Sequence, residues 1–294
     1  MNWRDVKDGV NKTVIFLFAF VGILVVVGLF VFIIKESIPA LTQVGKEIFF
    51  SIYWYPTYDP PEFGMLAMII GSLILTGLSS LFVLPLGYII SFFLYNYANT
   101  FERKIIKSTI DLLSGIPSVI IGTFLFFYVS PIVMKLGAWS PGNLLTASIG
   151  LTILSLPYAA SLMEESLSSV DQSLKESALA LGASKFTAGF KIVTKEASSG
   201  ILNSIILTVN RIIGETIVVL MVAGGAAIIP KSIFDPVRPL TAAIASEMGE
   251  VSVGSLHYSA LFTAGLILLT ISFILTLISK TVIGGKTKWR KNNL

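Results

Sequence analysis

The chain has 294 residues, of which 54% are hydrophobic and 13% charged, with a formal net charge of +4. Because soluble domains contain about 25% charged residues, this composition excludes an ordinary soluble protein and predicts an integral membrane protein surrounded by lipid. Cysteine is absent, which excludes disulfides and thiolate metal sites. We expect no metal, no cofactor and no nucleic-acid partner.

The first predicted element is an unbroken apolar run of 21 residues from Val14 to Ile34. At about 1.5 Å per residue, a helix of this length crosses a hydrocarbon core of about 30 Å. The run is too long for the apolar part of a signal peptide, and no small-residue cleavage site follows it. We therefore expect it to be retained as a membrane span.

Further spans are indicated by intervals without charged residues, because an ionisable group in the middle of a bilayer is costly. The sequence predicts an all-α integral membrane protein with six transmembrane helices in a single domain, residues 1–294. The predicted spans are residues 14–34, 65–95, 113–134, 145–163, 200–228 and 259–279.

The distribution of lysine and arginine between the loops predicts the orientation. With a cytoplasmic N-terminus, fifteen of these residues lie in inside segments and five in outside segments, while Arg211 lies within a span. Cytoplasmic loops carry the excess of basic residues, so both termini are expected on the inside of the cell membrane. Residues 35–63 and 229–257 become long outer loops, either docking an external partner or simply solvated. The single histidine, His257, is expected to be interfacial rather than a ligand.

A polar segment, residues 164–196, lies between apolar runs and is expected in the cytoplasm. Ser173 and Glu176 have the spacing of a helix capping box, and Gly182 suits the left-handed position after Leu181. These signals predict a short helix with one small apolar face. The face is formed by Leu174, Ala178 and Leu181. Such a helix either lies in the groove of another protein or is an ordinary surface helix.

The fifth predicted span contains two charged residues in a polar stripe. At about 100° per residue, four polar side chains of the helix fall on one narrow face. The stripe is formed by Ser204, Thr208, Arg211 and Glu215. Because ionisable residues within a membrane face a bundle interior or a water-filled path, the stripe predicts a transport path. Small residues at positions 223–227 allow local unwinding of the chain beyond the stripe.

Two interpretations of the charged pair stay open at this point. Arg211 and Glu215 are four residues apart and could simply neutralise each other. Alternatively, the planar guanidinium suits bidentate recognition of an oxyanion, and Glu215 could accept a hydrogen bond from a protonated one. Hydrogen phosphate can donate that bond, whereas sulfate at neutral pH cannot, so the second interpretation favours phosphate.

The polar segment also contains the pattern E-x-A-x-x-x-G at Glu176, Ala178 and Gly182, with Ile192 ten residues after the glycine. This pattern resembles the EAA loop of permease subunits of ATP-binding-cassette importers. The Leu-Pro ending of that motif is absent, since residues 194–195 are Thr-Lys. The resemblance implies a type I importer permease fold, with Glu176, Ala178 and Gly182 in a cytoplasmic helix that couples to ATPase subunits.

The fifth span resembles a known segment as well. Residues 211–216 read R-I-I-G-E-T, similar to the R-x-x-G-E-T segment of phosphate-importer permeases. Further matches occur at residues 54–56, 63–64, 115–118 and 240–250. Together they cover most of the chain from residue 54 onward and resemble the C-type more than the A-type permease of the bacterial phosphate-specific system.

The resemblance implies a permease subunit of an ATP-driven importer of inorganic phosphate in the inner membrane. Its partners would be a sibling permease, two cytoplasmic ATP-binding-cassette ATPase subunits and an external phosphate-binding protein. The anion path would be lined by Arg211, Glu215, Thr208 and Ser204. The chain itself is expected to be non-catalytic, because residues 285–287 read G-K-T without the glycine that a phosphate-binding loop needs at position 280.

Three alternatives stay open. A permease for another oxyanion, such as sulfate or molybdate, would have the same architecture. An ion-driven secondary transporter or channel could use the same charged pair, but it has no need of a helix that docks an ATPase. A nonconducting scaffold would have no need of the polar stripe.

Overall fold

The computed structural model describes residues 3–291, with the side chains of residues 11–281, and is mainly helical. Its α-helices are α1 Trp3–Gln43, α2 Glu47–Phe50, α3 Leu66–Asn96, α4 Thr100–Ser114, α5 Ser118–Phe124, α6 Ser130–Lys135, α7 Leu144–Ser168, α8 Gln172–Ala180, α9 Lys185–Thr187, α10 Thr194–Glu196, α11 Ser198–Ile213, α12 Ile217–Val222, α13 Leu240–Glu247 and α14 Leu256–Lys291. Segments Leu125–Val129 and Ala188–Val193 are π-helical. Strands β1 Trp54–Tyr55 and β2 Glu62–Phe63 pair antiparallel in a hairpin.

Five helical segments of the described residues are long and apolar enough to cross a membrane. They are Asn11–Gln43, Leu66–Asn96, Ser118–Lys135, Leu144–Ser168 and Leu256–Thr281. Each corresponds to one of the six predicted spans. The orientation prediction depends in part on basic residues near the chain ends, and these lie outside the described side chains. They are Arg4, Lys7, Lys286, Lys288, Arg290 and Lys291.

The prediction of one continuous helix over residues 200–228 is wrong. This segment consists of α11 and the six-residue helix α12, separated by a break at residues 214–216. After α12, Gly224 and Gly225 both have positive φ, at 94° and 70°, so the chain turns away from the helix direction. Hydropathy alone could not distinguish this broken segment from a single helix, because both are apolar.

Threonine hydroxyls satisfy backbone carbonyls at the break. Thr216 Oγ1 donates to the carbonyl oxygen of Gly214 at 3.2 Å. Thr241 Oγ1 of α13 donates to the carbonyl oxygen of Glu215 at 3.0 Å. Irregular backbone at membrane depth is tolerated where such donors replace the lost helical hydrogen bonds. The break is therefore stabilised by a residue 26 positions away in the sequence.

The helices α3 and α7 pack along each other at the centre of the molecule. A side chain at Gly87 of α3 would place its Cβ 3.0 Å from the Cβ of Ala159 on α7, so glycine permits the close approach. The buried apolar core around this pair includes Leu75, Val83, Leu125, Leu151 and Val218. We call the end with β1 and β2 the hairpin end, and the opposite end the α8 end.

Helix α1 packs on α14 through its second half. The rings of Phe32 and Phe262 meet edge to face with centroids 5.5 Å apart. Ser259 Oγ donates to the Glu36 carbonyl at 2.6 Å and accepts from the Ala40 N–H at 2.9 Å. Residues 11–32 are exposed throughout, although they belong to a strongly apolar span. This apolar surface requires cover from lipid or from another chain.

An ion-paired carboxylate joins two helices at the α8 end. Glu164 of α7 pairs with Arg103 and Lys107 of α4, with its Oε2 2.8 Å from the Lys107 ammonium. Its side chain is only 6% exposed. A buried carboxylate without partners is costly, so the two cations offset the cost of burying Glu164 and fix α4 against α7.

Candidate transport and coupling sites

Helix α8 forms where a short helix is predicted in the polar segment, but its first turn differs from the prediction. The N-cap is Asp171, whose carboxylate accepts a hydrogen bond from the Ser173 N–H at 2.9 Å. The predicted capping box is therefore wrong, because Ser173 already lies inside the helix. Glu176 instead accepts from the side-chain amide of Gln172 at 2.8 Å. Hydrogen bonds from the Ser173 backbone and side chain lower the pKa of the Asp171 carboxyl.

The end of α8 confirms the prediction for Gly182. This glycine has φ of 86°, in the left-handed region. The Ala183 N–H donates to the Ala178 carbonyl and the Gly182 N–H donates to the Leu179 carbonyl, both at 3.0 Å. The two bonds are those of a Schellman motif, which satisfies carbonyls left free at the helix end. A Cβ at Gly182 would meet no atom within 4 Å, so only the backbone conformation restricts this position.

The predicted apolar face of α8 does not exist as one face. Ala178 is 5% exposed and lies on the buried side of α8, whereas Leu174 is 40% exposed and Leu181 is 90% exposed. Leu181 follows the last helical residue, Ala180, so helical spacing no longer fixes its direction. The exposed apolar side chains of this region are Leu174, Leu179, Leu181, Phe186 and Phe190.

The first residues of the polar segment are helical. Residues 164–168 continue α7, and the connection to α8 starts at Ser169. We use the name coupling segment for residues 169–196. It contains Glu176, Ala178 and Gly182, and α8 packs against its π-helical part.

The coupling segment is fastened to the end of α3 by polar contacts. The side-chain amide of Asn96 donates to the Lys185 carbonyl at 3.1 Å, and the hydroxyls of Tyr88 and Thr194 lie 2.8 Å apart. The Lys175 ammonium lies 4.5 Å from the centre of the Tyr95 ring. Burial, followed by repulsion from a neighbouring lysine, lowers the pKa of Lys175. Thr194, which stands in the motif's usual Leu-Pro ending, thus contributes a tertiary hydrogen bond.

The first two residues of the polar stripe are buried inside the subunit. Ser204 is 3% exposed and Thr208 is fully buried. Their hydroxyls donate to carbonyls one turn earlier, those of Gly200 at 2.9 Å and Ser204 at 2.7 Å. Ser204 also lies 3.1 Å from the hydroxyl of Ser166 on α7. Ser204 thus connects α11 to α7, and in this conformation both residues are closed to solvent.

Arg211 and Glu215, in contrast, reach the surface of the subunit. Arg211 is exposed, and its guanidinium carbon lies 5.4 Å from the centre of the Tyr158 ring on α7. Glu215 lies beyond the end of α11 and is half-buried. No ion pair within 4.0 Å joins Arg211 and Glu215 in the part of the chain that the structure describes. Because Glu215 lies beyond the last residue of α11, helical periodicity no longer fixes its direction.

Residues that sequence reasoning missed also hold these regions together. Tyr158 lies beneath the Arg211 guanidinium and is a candidate support for it, because an aromatic face attracts a cation. Thr241 fixes the break beside Glu215. Tyr158 has no local sequence signal. Thr241 lies in the family match at residues 240–250, but its contact with the Glu215 carbonyl could not be read from that pattern.

The sequence matches the family model described as "Binding-protein-dependent transport system inner membrane component" over residues 83–285. The probable ABC transporter permease protein YqgH of Bacillus subtilis is 33% identical over 233 residues, 79% of this chain and 75% of that protein. The phosphate transport system permease protein PstC of Mesorhizobium japonicum is 32% identical over 273 residues, 86% of this chain and 83% of the relative.

Solved structures of importers share the fold. A bacterial ABC transporter that imports the acidic polysaccharide alginate matches with a TM-score of 0.66 at 15% identity, covering 96% of this chain and 97% of the other. An inward-facing MetNI methionine ABC transporter matches with a TM-score of 0.60 at 18% identity, covering 73% and 92%. At these identities the likeness establishes the architecture of a type I importer permease.

Proposed function

The chain belongs to the family of binding-protein-dependent transport inner membrane components and is a non-catalytic permease subunit of an ABC importer, and we propose that its substrate is inorganic phosphate. The permeases of Mesorhizobium japonicum and Haemophilus influenzae, 32% and 27% identical, carry the name of phosphate transport system proteins. The observation that carries the proposal is the exposed Arg211 guanidinium beside a helix break, with no carboxylate paired to it among the described side chains.

The chemistry of this position suits a protonated oxyanion. The Arg211 guanidinium has five N–H donors in a planar fork, which matches two oxygens of a phosphate group. Glu215 provides an acceptor for the proton of hydrogen phosphate, a bond that sulfate at neutral pH has no proton to form. Hydrogen bonds in which donor and acceptor are charged are also stronger than neutral ones. Arg211 and Glu215 would thus bind the anion in turn or together as it passes the break.

Ser204 and Thr208 would contact the anion at a later stage than Arg211. Both are buried against α7 in this conformation, so they would meet the anion only after α11 and α7 separate. Their hydroxyls are donors that could then replace part of the ion's hydration. The same separation would carry the anion from Arg211 toward the α8 end.

The proposed partners fit separate surfaces of the molecule. The uncovered residues 11–32 of α1 would lie in lipid and against a sibling permease, because an apolar helix needs such cover. Two cytoplasmic ATPase subunits would bind the pair of permeases. One of them would bind the coupling segment through the exposed Leu181 and its apolar neighbours. An external phosphate-binding protein would dock at the hairpin end. In this arrangement both termini are cytoplasmic and the whole chain, residues 1–294, acts as one permease domain.

The test is anion uptake by the assembled complex in vesicles supplied with ATP and the external binding protein. We expect phosphate uptake that requires ATP, and little uptake of sulfate. Arg211→Lys should reduce phosphate uptake strongly, because lysine keeps the charge but loses the planar fork. Tyr158→Phe is the matched control, since it retains the aromatic face under the guanidinium and should retain uptake.

Each alternative has its own outcome in this experiment. Uptake of sulfate in preference to phosphate would assign the permease to another oxyanion. Phosphate uptake driven by an ion gradient without ATP would replace the ATP-driven mechanism by secondary transport. Wild-type phosphate uptake by Arg211→Lys would remove Arg211 from the recognition of the anion.

A further inference from the structure

Glu247, a half-buried carboxylate at the end of α13, connects three separate segments at the hairpin end. It accepts hydrogen bonds from the Trp54 indole N–H, 3.1 Å from each carboxylate oxygen. Its Oε2 lies 2.6 Å from His257 Nε2 at the start of α14. It is also paired with the Arg238 guanidinium, which precedes α13. Trp54 lies 193 positions earlier in the sequence, so Glu247 ties together segments that have no local connection.

The charged side chains around Glu247 are partly shielded from water, which strengthens their contacts. Its side chain is 16% exposed, and those of Arg238 and His257 are 20% and 18% exposed. The Trp54 ring meets the rings of Phe63 and His257 edge to face, with centroids 6.0 and 5.8 Å apart. Partial exclusion of water strengthens the attraction between opposite charges. Removal of the charge on Glu247 would leave Arg238 without its carboxylate partner in the described structure.

Helix α13 links this cluster to the break in the fifth segment. At its start, Thr241 donates to the Glu215 carbonyl, and the Leu240 N–H donates to Ser72 Oγ at 2.9 Å. At its end, Glu247 holds the cluster. Glu247 lies six positions after Thr241, a distance of about 9 Å along a rigid helix. A displacement of Glu247 would therefore be transmitted to the backbone beside Arg211 rather than absorbed in a loop.

We infer that Glu247 is a positioning residue. With Trp54, Arg238 and His257 it forms a cluster that we call the outer clasp. The clasp keeps the backbone at the break beside Glu215 in its present conformation until an external partner docks. This inference rests on the proposed function, because it requires an importer driven by ATP. A cavity of about 500 Å³ adjoins the clasp and is lined by Tyr55, Glu250 and the clasp residues themselves. An external protein that fills this cavity would contact all four clasp residues directly. Docking would then release α13 and with it the Glu215 backbone.

The experiment measures ATP hydrolysis by the complete complex in proteoliposomes, with and without the external binding protein. Glu247→Gln keeps the shape and an acceptor for Trp54 but removes the charge that holds Arg238 and His257. We expect the unstimulated rate to rise several-fold and the ratio of stimulated to unstimulated rates to fall toward one. Glu250→Gln is the matched control: Glu250 is exposed, lines the same cavity and has no ion pair among the described residues. It should behave as wild type.

A fluorescent label separates clasp opening from general destabilisation. The chain has no native cysteine, so Thr57→Cys can be labelled at the cavity wall in a complex whose other subunits lack cysteine. Docking of the binding protein should shift the emission in the wild-type background. In Glu247→Gln the emission should be shifted before docking. A label at Leu136→Cys, exposed on another loop, should report the same spectrum in both backgrounds.

A second variant keeps the test decisive if Glu247→Gln does not assemble. Trp54→Phe preserves ring packing on Phe63 and His257 but removes the N–H donated to Glu247, so its unstimulated rate should also rise. Unchanged rates in the Glu247→Gln or Trp54→Phe complexes, with normal stimulation of the wild type, would overturn the clasp alone. An equal effect of Glu250→Gln would overturn it too. A wild-type complex without any stimulation would overturn the proposed function and the clasp together.

Discussion

Substitution of Gly182 tests whether the turn after α8 is needed for coupling. The residue has φ of 86°, and a Cβ there would meet no atom within 4 Å. A side chain therefore has space, and its cost arises from the backbone alone. For an L-residue in the left-handed region this cost is roughly 1–2 kcal/mol. Such an energy changes an equilibrium about 5- to 30-fold, here from the closed Schellman turn toward an open one.

An open turn would displace Leu181, which the Schellman bonds hold at the surface with 90% exposure. We therefore expect Gly182→Ala to insert and assemble normally, yet to reduce phosphate-stimulated ATP hydrolysis several-fold. Gly182→Val should reduce it further, because a β-branched residue is less tolerant of positive φ. Gly182→Asn should retain more activity than either, since asparagine adopts the left-handed conformation more readily.

Gly45 offers a matched control at the opposite end of the molecule. It has φ of 65°, and a Cβ there would also meet nothing within 4 Å. Gly45→Ala carries a similar backbone cost but lies far from the coupling segment. It should leave stimulated hydrolysis near wild type in the purified complex. Equal losses in Gly45→Ala and Gly182→Ala, or full activity in Gly182→Val, would refute the reasoning.

Three further predictions follow from other parts of the structure. The double variant Arg211→Met with Glu215→Leu should assemble but fail to take up phosphate, since an apolar position offers no donors to replace the ion's hydration; wild-type uptake would remove the pair from the path. Labelling with an impermeant thiol reagent after cysteine substitution should reach Tyr58→Cys from outside but Leu181→Cys only in inverted vesicles, and the reverse pattern would invert the topology. For Asp171, the lowered pKa means that the cap is intact above the ordinary carboxyl pKa of about 3.9 and is lost as the pH falls through the lower folded value, so amide protection in α8 should fall only in acid. Asp171→Asn, which keeps an uncharged acceptor, should not show this acid loss of protection.

Several features of this protein were determined by short stretches of sequence. Five spans follow from local hydropathy, because the energy of placing some twenty apolar residues in lipid needs no tertiary partner. The turn at Gly182 is also local: glycine tolerates the left-handed conformation that its neighbours disfavour. The family motifs around Arg211 and Glu176 are likewise patterns of neighbouring residues, so they can be recognised without the fold. The predicted type I permease architecture is confirmed by the solved importers that share the fold.

Tertiary structure decided what those local signals could not. The helix break at residues 214–216 is stabilised by the hydroxyl of Thr241, which comes from another helix, so a periodicity that assumed one straight helix does not extend to Glu215. Ala178 faces inward because α8 packs against the π-helical segment that follows it. Glu247 meets Trp54 across 193 positions of sequence. Hydropathy and helical period are properties of neighbouring residues, whereas these hydrogen bonds and contacts exist only after distant segments have packed together.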